Sequence, residues 1–380
     1  MNPKNKIPIF PLLFKSDAIN KLYESVEYFD LKVTNKTLKS NFNINENSIY
    51  SFKLIPEYFK LQLRDSSFKT HIVPQYNWGY SILLNPSDSI ESFMQRQFNS
   101  KKRNIFTRYV KRLETCFDVN YKMYHGEITK PDYNKLMQSL YSMIISRFKE
   151  RKELHKNLYE WEFLLEHTYE DIINKEASLF VIYNKEQPIE ISLNYHFDKV
   201  LFSYISSYNI DYSKFGLGHV EIYKQIEWCA KNGYRLFEMG VGGMDYKRRW
   251  SNNIYRYQHY IVNKNSTAKV KMMLFKIRLK EYLKSKGVNE LNAKLKGIFK
   301  TKVTKSPTAY KIEESVTFKK QQYKEIDCND KPYLFLNKHI YNFIYNTADH
   351  CNKVKVYKNK TEHAFIIQGE KQGQKITFTN

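Results

Sequence analysis

Cysteine is scarce and scattered in this chain. Four occur in 380 residues, Cys116, Cys229, Cys328 and Cys351, with no C-x-x-C pair and no two at metal-ligand spacing. That argues against a disulfide-stapled scaffold and against a bound metal, and leaves reduced structural thiols, as suits the cytosol. Long apolar runs are missing too: none approaches the roughly 20 residues of a membrane span. The opening MNPKNKIPIFPLLFK holds too short an apolar stretch for a signal peptide. The expectation is a soluble cytoplasmic protein that touches a membrane, if at all, from its surface. Internal repeats and low-complexity tracts are absent. Acidic residues are outnumbered, 39 Asp+Glu against 62 Lys+Arg, a formal net charge of +23. The excess is either a Lys-rich solvated surface or the mark of an anionic partner: CoA or nucleotide phosphates, an acidic glycan, tRNA or an anionic bilayer face.

What is plentiful is core material. Hydrophobic residues make up 42% and aromatics 16%, enough for two domains or one duplicated domain. Apolar spacing at Ile19, Leu22, Tyr23 and Val26 predicts a helix over Asp17–Phe29, and the Asn-rich stretch Asn35–Asn47 reads as a loop. Strand-like runs start at Phe59 (FKLQLR) and Tyr80 (YSILLN), in a region broken at Pro56, Pro74 and Pro86. Ser87–Glu114 reads as a capped, strongly basic helix whose apolar face includes Phe106, Val110 and Leu113. Its cations, Arg103 among them, either cover the surface with their stems or wall a cleft for an acidic or phosphorylated acceptor. Further helices are expected over Thr129–Lys149 and Asn157–Asn174. The runs ASLFVIY, IEISLNYHF and VLFSYISSY predict three successive strands, the last one central. A Lys-rich helical region over Lys269–Lys305 is expected to pack on the domain or lie on an anionic bilayer. From about Tyr323 the chain predicts a small β-rich appendage.

The most informative stretch runs from Val200 to Trp250. It predicts a strand, a loop ending in Gly216-Leu217-Gly218, an amphipathic helix over Val220–Asn232 and a second strand, RLFEMGVG. The cluster Asp245-Tyr246-Lys247-Arg248-Arg249-Trp250 follows that strand. Such a right-handed crossover presents backbone N–H groups at a helix start, where an anion can rest.

Three features together resemble the GNAT acyltransferase superfamily, in its FemAB-like branch of cell-envelope biosynthesis. They are SKKRNIFTRYVKRLE, SKFGLGHV after a central strand, and FEMGVGGMDYKRRW. The resemblance implies an α+β fold with a mixed, mostly antiparallel sheet splayed to admit the arm of an acyl thioester. It also implies a degenerate N-terminal half over 1–120, a catalytic domain over 121–265, a basic helical segment over 266–320 and a β-rich region over 321–380. It brings acyl-CoA, such as acetyl-CoA, as cosubstrate, and a small-molecule or glycan acceptor. One position departs from the pattern: Ser213 stands where an Arg or Gln usually opens the phosphate turn, and some relatives of this branch use aminoacyl-tRNA.

The residues fit acyl transfer as follows. Backbone N–H groups of Tyr204, Ile205 and Ser206 are placed to polarise a thioester carbonyl. Those of Gly216, Leu217, Gly218 and His219 suit a diphosphate, worth about 0.3–2 kcal/mol from the helix dipole. Glu221, one turn in, is expected to point away. Glu238 is the expected general base, with Asp245 the runner-up. Tyr246 stands where relatives carry the acid that protonates the thiolate. Lys247 and Arg248 suit an acceptor's phosphate or carboxylate, Trp250 anchors the site, and His196 reads as a core histidine. Rival readings are aminoacyl transfer from charged tRNA and a non-catalytic binding scaffold.

Overall fold

The computed structural model describes residues 22–34, 48–151, 160–242, 244–287, 310–314, 318 and 320–378. In chain order the first elements are β1 (Tyr23–Tyr28), β2 (Leu31–Thr34), β3 (Tyr50–Pro56), β4 (Phe59–Leu63), β5 (Lys69–Leu83), α1 (Ile90–Gln97), α2 (Ser100–Cys116), β6 (Val119–Tyr124), α3 (Lys130–Arg151) and α4 (Trp161–Ile173). The middle of the chain forms β7 (Ala177–Asn184), β8 (Gln187–Phe197), β9 (Val200–Tyr208), α5 (Leu217–Lys231), β10 (Leu236–Val241), α6 (Asp245–Trp250), β11 (Asn253–Asn263) and α7 (Ala268–Ser285). The last part holds β12 (Tyr310–Glu314), β13 (Tyr323–Ile326), α8 (Asn337–Thr347), β14 (Lys355–Asn359), β15 (Ala364–Gln368) and β16 (Gly373–Phe378).

The described residues fall into two compact units. One takes those within Met1–Ser87, Tyr195–Tyr204 and Asn232–Lys302, the other those within Asp88–Asn194, Ile205–Lys231 and Val303–Asn380. In the first unit the strand order is β3-β11-β5-β10-β9, with a separate sheet β2-β1-β4. Its core gathers Leu22, Val26, Phe59, Leu236 and Tyr260, all buried. In the second the order is β9-β8-β7-β6, with a five-stranded C-terminal sheet β12-β16-β15-β14-β13. Here Leu113 and Cys116 of α2 share one apolar cluster with Ile340 and Phe343 of α8 and Phe365 of β15. Each fully buried side chain of this kind is worth about 1.5–3 kcal/mol, so the β-rich C-terminal region is fastened to the second unit by shared core. The chain is thus a mixed α/β protein with large, mostly antiparallel sheets.

Several elements differ from expectation. The helix predicted over Asp17–Phe29 is a strand from Tyr23 to Tyr28, paired with both β2 and β4. Tyr-Glu-Ser-Val-Glu-Tyr is rich in strand formers, and pairing decided between two spacings that both fit. Residues 17–21 of that prediction lie outside the described residues, as do the Asn35–Asn47 loop, the start of the Asn157–Asn174 helix and everything predicted from 288 to 305. The single basic helix over Ser87–Glu114 is two helices. Phe98 is extended at φ −129°, and the Asn99 side chain accepts from Lys102 N–H to start α2 afresh. Ser89 and Ser92 exchange hydrogen bonds to cap α1. On α7, Val270 and Leu274 pack inward, while Met272, Phe275, Leu279 and Tyr282 are exposed.

Candidate active site

Strand β10 carries the site of the first unit. It pairs in parallel with β9 for three residues only, Leu236↔Val200, Phe237↔Leu201 and Glu238↔Phe202. On its other side it runs antiparallel to β5, with a register shift between Glu238 and Val241. The cause is in the sequence: Gly240 takes φ +72°, a left-handed conformation that breaks the pleat. The kink brings the Gly240 N–H to Glu238 Oε1 at 2.7 Å. The parallel pairing of β10 with β9 therefore stops at Glu238.

Glu238 is fully buried. The Tyr58 hydroxyl donates to its Oε2 at 2.7 Å. Tyr255 lies edge-on to Tyr58 with ring centroids 4.7 Å apart, and its hydroxyl donates to Tyr257 Oη at 2.9 Å. Tyr255 has one proton to share between Tyr257 and the carboxylate. Burial lifts Glu238 to about 7, against hydrogen bonds from Tyr58, Tyr255 and Gly240 N–H and the charge of Lys247, all of which favour the ionised form. The phenols of Tyr58, Tyr255 and Tyr257 are driven well above their ordinary range by burial, then by neighbouring groups headed by Glu238, so they stay neutral donors. Gly79 of β5 stands opposite Tyr255 of β11, and a Cβ there would lie 2.2 Å from the Tyr255 ring. Only glycine lets that ring lie flat on the sheet.

The cluster after β10 forms the short helix α6. Lys247 is buried and turns inward, its Nζ donating to the carbonyls of Met239 at 2.5 Å and Val241 at 3.0 Å. Burial lowers it to about 8. Its ammonium thus ties the kinked end of β10 to α6. Trp250 is fully buried, Tyr246 half-buried, and Asp245 and Arg248 exposed, with Arg248 hydrogen-bonded to Tyr80. Tyr204 packs edge-on to Tyr195 at 5.4 Å. His196 bonds the Tyr234 hydroxyl through Nδ1 at 2.7 Å.

The second unit holds the helix start. Gly216 is left-handed at φ +65°, and a Cβ there would meet the Tyr109 ring at 2.7 Å. Its N–H reaches the Ser213 carbonyl at 3.4 Å, and the His219 N–H returns to the Gly216 carbonyl at 2.7 Å. The N–H groups of Leu217 and Gly218 are left at the first turn, and a Cβ on Gly218 would have open space. His219 stacks on Tyr109 with centroids 5.3 Å apart. Arg103 donates to the Phe98 carbonyl at 2.6 Å, closing the end of α1.

A second buried carboxylate cluster lies in this unit, and sequence reasoning missed it. Glu221 of α5 points inward and accepts from Gln225 at 2.8 Å, with Ser192 and Ser206 also bonded to it. Burial raises it to about 7, and these bonds and Arg147 oppose the rise. Ser206 of β9 thus directs its hydroxyl to Glu221, and Ile205 is buried. Glu190 of β8 is fully buried, and neither carboxylate oxygen has a hydrogen-bond partner among the described residues. Burial and the charge of Glu221 drive its pKa well up, and only Arg147 opposes them. The signal was available: Glu190, Ser192 and Asn194 alternate along an otherwise apolar strand, so one face of β8 is polar and buried.

Residues 100–248 match the family model described as the acetyltransferase (GNAT) domain. The match spans well under half of the chain, and over it this segment is similar to a GNAT-type domain. It contains α2, the β9–α5–β10 crossover with Glu238, and Lys247 of α6. No curated protein matches the chain. Among solved structures, it is similar to a conserved protein of unknown function from Bacteroides thetaiotaomicron VPI-5482, with 10% identity and a TM-score of 0.37 over 53% of this chain and 64% of that one. L-PGS from Bacillus licheniformis gives 12% and 0.35 over 56% and 67%, and FemX 8% and 0.37 over 51% and 65%. The chain thus spans about two thirds of the length of these structures.

Proposed function

We propose that the GNAT-type domain moves an acyl group from acyl-CoA to an amine or hydroxyl of a sugar or cell-envelope precursor. The observation that carries this reading is the parallel pairing of β9 and β10 that ends at a buried carboxylate of pKa about 7. A carboxylate tuned upward by burial is suited to general-base work near neutral pH. An alkyl amine is about one part in a thousand neutral at pH 7, so a base has much to contribute.

The proposed steps balance as follows. The acceptor's nitrogen or oxygen attacks the thioester carbon, and the carbonyl oxygen gathers charge against backbone N–H groups of Tyr204 to Ser206. The acceptor gives a proton to the oxygen of half-buried Tyr58 as Tyr58 passes its own to Glu238. The C–S bond breaks, and the thiolate takes a proton from Tyr246. The second unit, taken by itself, offers a phosphate site at the Leu217 and Gly218 N–H groups that start α5. The alternative donor, aminoacyl-tRNA, is favoured by Ser213, which puts no cation before the turn, and by the net charge of +23.

Calorimetry with acetyl-CoA, longer acyl-CoAs and a charged tRNA tests the donor. Gly218→Glu is the informative variant, because it adds a carboxylate at the helix start without a clash. The expected result is acyl-CoA binding that weakens at least tenfold in Gly218→Glu. Binding of charged tRNA alone moves the reaction to aminoacyl transfer, and binding of neither removes transfer altogether.

A further inference from the structure

The solvent side of α2 is concave where a lone helix would be convex. Asn104, Thr107, Arg108, Lys111, Arg112 and Thr115 follow one another at helical spacing on a single stripe. With Ala348 they line a cavity of about 400 Å³. The opposite face of α2 is fixed in the core by Phe106, Val110, Leu113 and Cys116. Ala348 closes the cavity because it ends α8 in a left-handed turn at φ 62°.

The chemistry of this lining is one-sided. It holds three cations and no carboxylate. The hydroxyls of Thr107 and Thr115 are engaged by the carbonyls of Arg103 and Lys111, at 2.9 and 2.7 Å. Arg108 and Lys111 are exposed and form no ion pair among the described residues. The Arg112 guanidinium lies over the Tyr345 ring at 5.5 Å, and its Nη1 is enclosed with no hydrogen-bond partner. Nearby carboxylates are turned elsewhere. Glu114 is held by Lys224 at 3.2 Å, and Asp349 Oδ2 accepts from the Glu370 N–H at 3.3 Å. Three like charges on little more than one turn repel one another, and an arginine laid flat on a ring is an ordered fork awaiting an acceptor.

We infer that this cavity is a binding site for a phosphate or diphosphate group, separate from the α5 helix start and from Arg103. The cavity is far larger than one phosphate and lies in the range of about 300–1,000 Å³ typical of small-ligand sites. It therefore admits a phosphate together with the sugar or nucleoside that bears it. Arg108 and Arg112 are four residues apart, about 6 Å along the axis, which matches a diphosphate or one step of a nucleic-acid backbone. The inference does not depend on acyl transfer, and Glu238→Gln protein is expected to bind phosphate as the unaltered chain does.

The test uses the full chain, with inorganic pyrophosphate and an uncharged tRNA transcript as separate probes. Arg108→Gln combined with Lys111→Gln alters exposed side chains only, so the melting temperature should hold. Pyrophosphate binding should fall at least tenfold in this double variant. Arg112→Lys keeps the charge but loses the fork, and should weaken binding several-fold. If tRNA competes with pyrophosphate and the double variant lowers the salt dependence of tRNA binding by about two counterions, the group belongs to a nucleic-acid strand. If pyrophosphate binds and tRNA does not compete, it belongs to a small ligand. Equal pyrophosphate binding by the variants and the unaltered chain, or no binding of either probe at low salt, overturns the inference.

Discussion

Glu238 in the first unit and the Glu190–Glu221 pair in the second are buried alike and solvated differently. Burial pushes all three carboxyls upward. What separates them is the set of donors that face the ionised form. Glu238 meets two phenols, an amide N–H and an ammonium, and settles at about 7. Glu190 meets another carboxylate, with Arg147 alone in its favour, and is driven well above the ordinary carboxylate range. Glu221 meets two serines, Gln225 and Arg147 and also reaches about 7. Depth therefore sets the direction of a shift, and the donor shell sets where it stops. A poised base is a buried carboxylate whose shell compensates most of the desolvation. A silent acid is one whose shell does not.

The largest expected effect breaks that comparison directly. Glu238→Gln should lower kcat by about 10²–10⁴-fold, the usual worth of a positioned base, while the protein stays folded. Glu190→Gln should change kcat by no more than a few-fold, because burial and the charge of Glu221 favour the neutral acid at Glu190, which glutamine resembles. Glu221→Gln should likewise cost only a few-fold. Steady-state kinetics on the three variants decides the matter. A loss in Glu221→Gln equal to that in Glu238→Gln would move the base from β10 to α5.

The same shells predict a pH dependence of stability, with a sign opposite to that of a salt-bridged acid. The folded pKa of Glu238 and Glu221 lies near 7, above the ordinary 4.5. Between those values the folded chain holds more protons than the unfolded chain, so stability falls as pH rises from 4.5 through 7. Each group contributes a loss on the order of 3 kcal/mol at full ionisation. Lys247 acts in the other direction: lowered to about 8 from 10.5, it costs stability as pH falls through that window. Urea midpoints from pH 5 to 8 should therefore decline, with Glu190 adding to the same slope, and Glu221→Gln should make the decline measurably shallower. Activity should rise over the same interval with a midpoint near 7 if Glu238 is the proposed base, since that base must be ionised. A slope unchanged by Glu221→Gln would separate burial from titration in the second unit.

Much of this was legible in the chain, and the limits have physical causes. The β9–α5–β10 crossover announced itself through an apolar strand, a glycine turn and an amphipathic helix. Glu238 stood out as a carboxylate inside an apolar strand. Its partners did not, because Tyr58 lies 180 residues away in sequence and meets it only in the folded sheet. Lys247 looked like a hand held out to an anion, yet the kink at Gly240 presents two carbonyls that take it inward. Gly216 looked like a phosphate glycine, and its open side is filled by Tyr109. Ser206 looked like a cofactor contact, and it serves Glu221. Local pattern reports the element; which face meets which partner is a tertiary fact.

The smallest effect concerns Gly79, and it sharpens the comparison because it touches the donor shell and not the carboxylate. Gly79 needs no left-handed backbone; its role is to leave room for the Tyr255 ring paired opposite it. Alanine would place a methyl 2.2 Å from Cζ of that ring, so the ring must swing away. Overpacking of this kind costs about 1–3 kcal/mol. Its second consequence is chemical. With Tyr255 displaced, Glu238 loses one donor of the ionised form, and its pKa should climb above 7. Gly79→Ala should therefore shift the activity midpoint to higher pH while retaining a measurable maximal rate, and Tyr255→Phe should reproduce the shift with less loss of stability. A Gly79→Ala protein that is destabilised but keeps the original midpoint would mean that Tyr58, Gly240 and Lys247 suffice to poise the base, with Tyr255 serving only as core.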